Sequence, residues 1–478
     1  MLRPWLVNLQ ISSDTSKPIY IRIVDSIIEA IQSGLLKSNE ALPGSRQMST
    51  LLGVNRNTIT KAYHILLAEG WLTSSDRKGT FVSEKLVTTI KKKKKDIENI
   101  PDKVVDSIHK ITFNHGLPDT SIAPIDELSR AYRRTFSRKA KWKMLDISSE
   151  YGDIKLREAI SKMLNYSKGM STSAEEIFIT RGTQMSLFLT AHTLLTESDV
   201  VLVENPGYMP AWDSFRHAGA KIIPIDVDMN GINVDQVEKI LKQTTIKAIY
   251  LTPHHQFPTT VTLSLERRLR LITLSNHYQF TIIEDDYDSD YYFGQRPFRP
   301  LSSYPELQNV VYFGTFSKLI APAIRMGYIY SSGRFLENIG KLRRIIDFQG
   351  DNIMEQSLLE LINSGDIRRH QKRSVTAYRE RRDLFAGLLH TYIHNEKVEW
   401  QLPNGGLAFW LSLPDEVDIF KLKKKTQTAG LSFNTPDQFS FDKPIQGIRI
   451  GYASITKKDM EAGIKILSKF LYPTISTK

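Results

Sequence analysis

Cysteine is absent from the 478 residues, which excludes disulfides and thiolate metal sites and fits a reducing compartment such as the cytoplasm. Long apolar runs are absent as well. No window approaches the ~18 consecutive apolar residues of a membrane-spanning helix, so no membrane partner is expected. The opening MLRPWLVNLQISSD has no basic stretch followed by an apolar run and a small-residue cleavage site, and no signal peptide is read there. No metal site is assigned. What remains is of ordinary globular composition, 41% hydrophobic and 24% charged, and the length calls for two or three domains.

A concentrated charge of one sign is also missing where it would be most telling. The net charge is +12, which suggests a polyanionic partner. Residues 1–84, however, hold nine Lys or Arg against seven acids, and residues 85–105 contribute +4. Bulk charge is therefore as well explained by a solvated basic surface, and motifs have to carry the functional argument.

Residues 18–83 show a compact pattern. Ile23, Val24, Ile27, Ile28 and Ile31 recur at helical spacing and Gly34 closes that helix. LPGSR at 42–46 reads as a turn with a serine N-cap for SRQMSTLL, which Gly53 ends. A third helix, from about residue 55 to Glu69, places Ile59, Ala62, Tyr63, Leu66 and Leu67 on one stripe. WLTSS and GTFVS then read as a hairpin. Three helices and a hairpin make a winged helix-turn-helix, expected over residues 12–84. In that frame Arg56, Asn57, Thr58 and Lys61 open the helix that would enter the major groove. Ser45 and Arg46 sit at the start of the preceding helix, and Gly79 allows close backbone approach at the wing. Each residue alone reads equally as an exposed polar group; their joint placement points to double-stranded DNA.

From 85 to 110 the chain turns polar, with five lysines at 91–95, and reads as a basic flexible linker. Beyond it, over 111–472, apolar runs alternate with amphipathic helices: EIFIT, VVLVEN, KIIPID, KAIYLTP, FTIIEDD and NVVYFGT. That alternation predicts an α/β domain with a mostly parallel sheet, and ligand sites in such sheets lie outside the carboxyl ends of the strands. Polar or glycine-containing residues stand at several of those ends. The acids of FTIIEDDYDSDYY read either as a solvated strand end, as a metal cluster or as part of a ligand site.

LPGSRQMSTLLGVNRNTITKAYHILLAEGWL followed by RKGTFV resembles the DNA-binding domain of GntR-type regulators, with Gly44 and Asn55 where that family more usually has serine. NVVYFGTFSKLIAPAIRMGYI resembles the Schiff-base lysine segment of class I aminotransferases of fold type I. Pyridoxal phosphate needs a lysine, an acid at the pyridine nitrogen, a phosphate cradle and a flat partner for the ring. The resemblance assigns these to Lys318, to Asp285 with Tyr287 near the ring hydroxyl, to Gly182, Thr183, Gln184, Thr315 and Arg325, and to Tyr208. It also puts Arg449 of GIRIGYA where class I aminotransferases bind the substrate carboxylate. HQFPTT at 255–260 departs from the Asn-Pro-Thr-Gly turn of those enzymes, since Phe257 cannot bond the ring hydroxyl, and resembles instead the His-Gln-x-Pro turn of the MocR subfamily, in which both domains are fused. Membership implies a domain-swapped homodimer on promoter DNA that senses an amine, an amino acid or the cofactor itself through an aldimine at Lys318. The rival reading is a working class I aminotransferase with an accessory DNA-binding domain.

Overall fold

A computed structural model describes residues 9, 11–13, 15–75, 79–84, 111–137, 142, 145–294, 299–394, 397–441 and 445–471. The basic run expected as a linker and the turn at 76–78 lie outside them. The chain divides into two compact units, Met1–Val105 and Asp106–Lys478.

In the first unit the helix Ile19–Gln32 buries Ile23, Val24, Ile27, Ala30 and Ile31, the helical spacing read from the sequence. The helix Ser45–Leu52 buries only Met48, and Arg56–Ala68 buries Ile59, Ala62, Tyr63 and Leu66 against the same core. Gly53 takes the left-handed conformation, φ +64°, that ends the second helix and turns the chain toward the third. The expected serine cap is corrected: Gly44 is the N-cap, Ser45 is already helical, and no side chain caps this helix. Its neighbour is capped by Asn55, whose side chain accepts from the Asn57 amide at 2.9 Å. The hairpin Leu72–Ser75 and Gly79–Val82 gains a third strand that the sequence reading missed, Ala41–Leu42, paired on the other edge of Gly79–Val82. The Tyr63 hydroxyl donates to the Pro43 carbonyl at 2.8 Å, tying the recognition helix to the turn before the second one.

The second unit is built on an eight-stranded sheet. Across it run Ile177–Thr180, Gly327–Tyr330, Val310–Thr315, Thr281–Asp286, Ala248–Leu251, Val200–Asn205, Lys221–Asp228 and Gly231–Ile232. Pairings are parallel except those of Gly327–Tyr330, antiparallel to both neighbours, and of the short edge strand Gly231–Ile232. Helices on both faces make the inner strands continuously apolar, and the carboxyl ends of Thr281–Asp286 and Val310–Thr315 fall side by side, Asp285 opposite Phe313. A smaller lobe packs Glu399–Trp400, Ala408–Ser412 and Gly447–Gly451 as an antiparallel sheet. It shares one core with Ile111–Phe113, Leu431–Phe433 and the helices Asp366–Tyr392 and Lys457–Leu471.

Gly314 sits under the Tyr328 ring, where an added Cβ would lie 2.1 Å from Cζ, and Tyr328 is itself buried. Gly387 is exposed on the helix Asp366–Tyr392 with nothing within 4 Å of such a carbon. Gly314→Ala is therefore expected to destabilise by about 1–3 kcal/mol through overpacking. Gly387→Ala should stabilise by about 0.5–1 kcal/mol, so thermal unfolding of the full chain will move in opposite directions for the two variants.

Candidate functional site

At the carboxyl ends of the central strands a cavity of about 190 Å³ is walled by residues from four chain segments. The strand Ile177–Thr180 leads through Gly182, φ +81°, into the helix Thr183–Leu194, so that Thr183 and Gln184 reach the cavity from a helix N-terminus with free backbone N–H groups. A Cβ on Gly182 would stand 3.2–3.4 Å from the Arg325 guanidinium, so only glycine lets the arginine come this close. Arg325, left-handed at φ +50°, also donates to the Arg181 carbonyl at 3.2 Å. From the strand Val310–Thr315 the chain turns through Ser317, whose amide is held by Thr315 Oγ1 at 3.1 Å. Its hydroxyl oxygen is buried without a partner among the described residues. Helix N-terminus, guanidinium and free hydroxyl together form an anion cradle.

Opposite charge chemistry lies at Asp285 and Lys318. Asp285 Oδ2 accepts from the Tyr250 hydroxyl at 2.7 Å, while Oδ1 is buried and has no partner among the described residues. Burial, with Asp286 and Asp288 adding to it, raises this carboxyl to about 7 against the opposing Tyr250 hydrogen bond. A protonated ring nitrogen would satisfy the orphaned oxygen and favour the ionised acid. Lys318 Nζ donates to the Gly116 carbonyl at 2.7 Å. Burial, reinforced by the Arg449 cation, lowers the amine to about 8 although Asp288 and Asp285 oppose this. Tyr208 is positioned by Gln184 Nε2 at 2.9 Å and meets Phe257 edge-on, centroids 5.4 Å apart. The Tyr287 hydroxyl is turned to the His255 carbonyl at 2.7 Å.

Of the residues singled out in the large unit, Thr183, Gln184, Tyr208, Tyr287, Thr315, Lys318 and Arg325 share this one cavity wall. Gly182 and Asp285 stand beside it. Arg449 does not reach it. Its guanidinium is 1% exposed and all three nitrogens are engaged: Nε with the His115 carbonyl at 2.9 Å, Nη1 with the Pro258 carbonyl at 2.8 Å, Nη2 with the Tyr287 hydroxyl at 3.3 Å. Phe257 lies over it, 4.8 Å from guanidinium carbon to ring centroid, and Phe257, not Arg449, faces the cavity. Gln256 explains the turn: its amide donates to the Pro206 and Phe257 carbonyls at 2.7 and 2.6 Å and accepts from Thr259. Three contributors were missed in the sequence. Ser317 had a signal, a hydroxyl next to the lysine; His115 had none beyond a polar loop, and Gln256 only its motif. Burial, then Lys318 and Arg449, holds His115 near 4 and so uncharged at neutral pH.

On the first unit Arg46, Arg56, Asn57, Lys61 and Gly79 are exposed and Ser45 and Thr58 half-buried. Arg56 Nε donates to Ser45 Oγ at 3.3 Å, joining the two helices of the motif. The Lys61 ammonium stands 3.8 Å over the Tyr20 ring, a partner the sequence reading did not foresee. Gly79, φ +112°, has open space around it. His64, one turn beyond Lys61 and also exposed, extends this face.

A winged helix-turn-helix and a fold type I sheet with lysine, acid and anion cradle in one cavity define a DNA-binding unit fused to an aminotransferase-type unit. The model of bacterial regulatory proteins of the gntR family matches residues 19–82, and that of aminotransferase class I and II matches residues 108–467. The chain thus belongs to the class I and II aminotransferase family, joined to a gntR-type domain as in the MocR regulators. It is 28% identical to a probable rhizopine catabolism regulatory protein, MocR, of Rhizobium meliloti, over 97% of this chain and 96% of that one. The transcriptional regulator TauR of Rhodobacter capsulatus is 26% identical over 94% and 96%. Among solved structures, a Pyrococcus horikoshii kynurenine aminotransferase in complex with PMP is 26% identical with a TM-score of 0.71, covering 76% of this chain and 90% of that one. Among the described residues no helix is long and apolar enough to cross a membrane, and no group of three metal-binding side chains is found.

Because burial and the Arg449 cation both disfavour the ammonium, Lys318 should be half deprotonated near pH 8. In the cofactor-free protein its acetylation rate, followed peptide by peptide with mass spectrometry, is expected to rise through an inflection there. Exposed lysines should inflect near ~10.4.

Proposed function

We propose that this protein is a transcription regulator whose large unit holds pyridoxal phosphate and uses it to sense an amine, an amino acid or the supply of the cofactor itself. The observation that carries the reading is the buried, partnerless Oδ1 of Asp285, near enough to Lys318 for each group to shift the other's protonation. The donor set fits the cofactor. Lys318 would attach it, Asp285 would face its ring nitrogen, Tyr208 its ring, and Thr183, Ser317 and Arg325 its phosphate. Bound there, it supplies an electrophilic carbon on which amines exchange. Lys318 contributes an amine that is neutral in an appreciable fraction at neutral pH, and Asp285 the negative charge that stabilises a protonated ring.

Sensing is favoured over turnover by the placement of Arg449. An aminotransferase needs a free cation for the carboxylate of each substrate, and here that arginine is bonded through all its nitrogens and covered by Phe257. The form that binds promoter DNA is a homodimer with exchanged DNA-binding domains, and occupancy of the cavity shifts its preference between two arrangements.

Promoter binding, measured by fluorescence anisotropy, is expected to change when pyridoxal phosphate is added to the cofactor-free protein, and Lys318→Ala should abolish that change. A response that survives Lys318→Ala would overturn the sensing role. Amino donors mixed with 2-oxo acids should give turnover far below ~1 s⁻¹, the lower end for ordinary enzymes.

On the DNA side, Asn57→Ala should cost about 1–3 kcal/mol on the cognate site and little on random DNA. Arg46→Ala should weaken both alike and reduce the salt slope by about one. Equal effects of the two variants on both DNAs would refute this division of roles.

A further inference from the structure

On the face of the strand Thr281–Asp286 to which Asp286, not Asp285, projects there is a second cavity, of about 280 Å³, larger than the one at Lys318. Its wall includes Lys168, His254, His255, Ser289, Asp290 and Gln371. The two histidines are over nine-tenths buried, so the site is built from the interior and is not a surface dent. Lys168 is already committed: its ammonium pairs with Asp286 at 2.6 Å and bonds Ser289 Oγ. Asp290 is the exception. Among the described residues no cation lies within ion-pair distance of its carboxylate. Gln371 Nε2 gives that carboxylate only a long contact of 3.4 Å and favours the Asp290 main-chain carbonyl at 3.1 Å. Burial, with Asp286 and Asp288 adding to it against Lys168, pushes this carboxyl above its ordinary range.

A carboxylate that borders a closed cavity without a counter-ion complements a cation able to enter. No group of three metal ligands exists among the described residues, and the neighbouring Lys168 ammonium repels a bare ion. An organic cation avoids both objections. It brings N–H donors to Asp290 and leaves Ser289 and Gln371 for whatever polar group follows. The geometry points to a second small-molecule site, separate from Lys318, that takes a protonated alkylamine with Asp290 as its counter-ion. His255 belongs to both regions: its ring lines this cavity and bonds Asp288 at 2.7 Å, and its carbonyl holds Tyr287 of the cofactor cavity.

Dimethylaminoethanol is a suitable probe. It is protonated at neutral pH, donates one N–H, and as a tertiary amine cannot condense with an aldehyde at Lys318. Isoamyl alcohol is its neutral isostere. Titrated into the full-length protein by ligand-observed NMR, the amine is expected to bind saturably and the alcohol about tenfold or more weakly, the value of ~1.4 kcal/mol. Asp290→Asn should remove at least that factor, and Lys318→Ala should leave binding intact. If Asp290→Asn fails to fold, Gln371→Lys, which introduces an internal ammonium beside Asp290, should give the same loss. Equal binding of amine and alcohol, no saturable binding, retention of binding in these cavity variants, or loss of binding in Lys318→Ala would each overturn the assignment. None of these outcomes depends on whether DNA binding responds to pyridoxal phosphate.

Discussion

Placing three consecutive acids at the end of a central strand is the constraint around which the large unit is arranged. Glu284, Asp285 and Asp286 are all buried, and an ionised carboxylate inside a protein is tolerated only with donors or a cation. Strand alternation sends Asp285 to one face and its two neighbours to the other, and each face answers differently. Glu284 receives the Leu301 and Ser302 amides at 2.9 Å, and burial still raises it to about 7. Asp286 has Lys168 and the Tyr312 hydroxyl, both at 2.6 Å, and is held below the usual carboxylate range despite its burial. Asp285 alone is left half satisfied, with Tyr250 on one oxygen and nothing on the other. A structural carboxylate would have been completed as Asp286 was. The incomplete one marks where a positive partner from outside the chain belongs.

The same reasoning applies with opposite sign to Arg449. A buried guanidinium has to be paired or fully hydrogen-bonded, and here carbonyls from two loops and one phenol do it with no carboxylate. Those acceptors exist because the turn 255–260 folds inward, braced by Gln256 on the Pro206 carbonyl. Phe257 then covers the cation. The departure from the ordinary aminotransferase turn and the withdrawal of the carboxylate-binding arginine are thus one structural fact, since the turn that lacks the ring-binding Asn supplies the carbonyl that occupies the arginine.

What the sequence disclosed followed from local rules. Helical spacing of Ile23, Val24, Ile27 and Ile31, the glycine stop at Gly53 and the apolar strand runs are encoded within a few residues of themselves, and the segment around Lys318 is a contiguous motif. What it withheld depends on residues far apart. Lys168 meets Asp286 across 118 positions, and Lys61 meets Tyr20 from another helix. Ala41–Leu42 is two residues long, too short for periodicity to register, and exists because Gly79–Val82 offers it an edge. GYIY at 327–330 was read as the tail of the lysine segment, yet it forms the antiparallel strand between Ile177–Thr180 and Val310–Thr315. The serine cap failed for a local reason: with Gly44 extended, the helix starts one residue later than the Ser N-cap rule places it.

The near neutrality of residues 1–84 bears on how such a regulator can be controlled. Counterion release scales with the number of phosphates neutralised, so a unit with little net charge gains little from non-specific attraction and has to rely on a few placed side chains. Ser45 and Arg56 are bonded to each other and Lys61 rests on Tyr20, which pre-orders the face and lowers the entropy lost on docking. Binding by one such unit is weak. Linking two multiplies affinity by an effective concentration that depends steeply on their separation. A weakly charged reader is for that reason more sensitive to the spacing of its partner than a strongly basic one, and modest rearrangement of the domains that carry it is enough to change occupancy of a promoter.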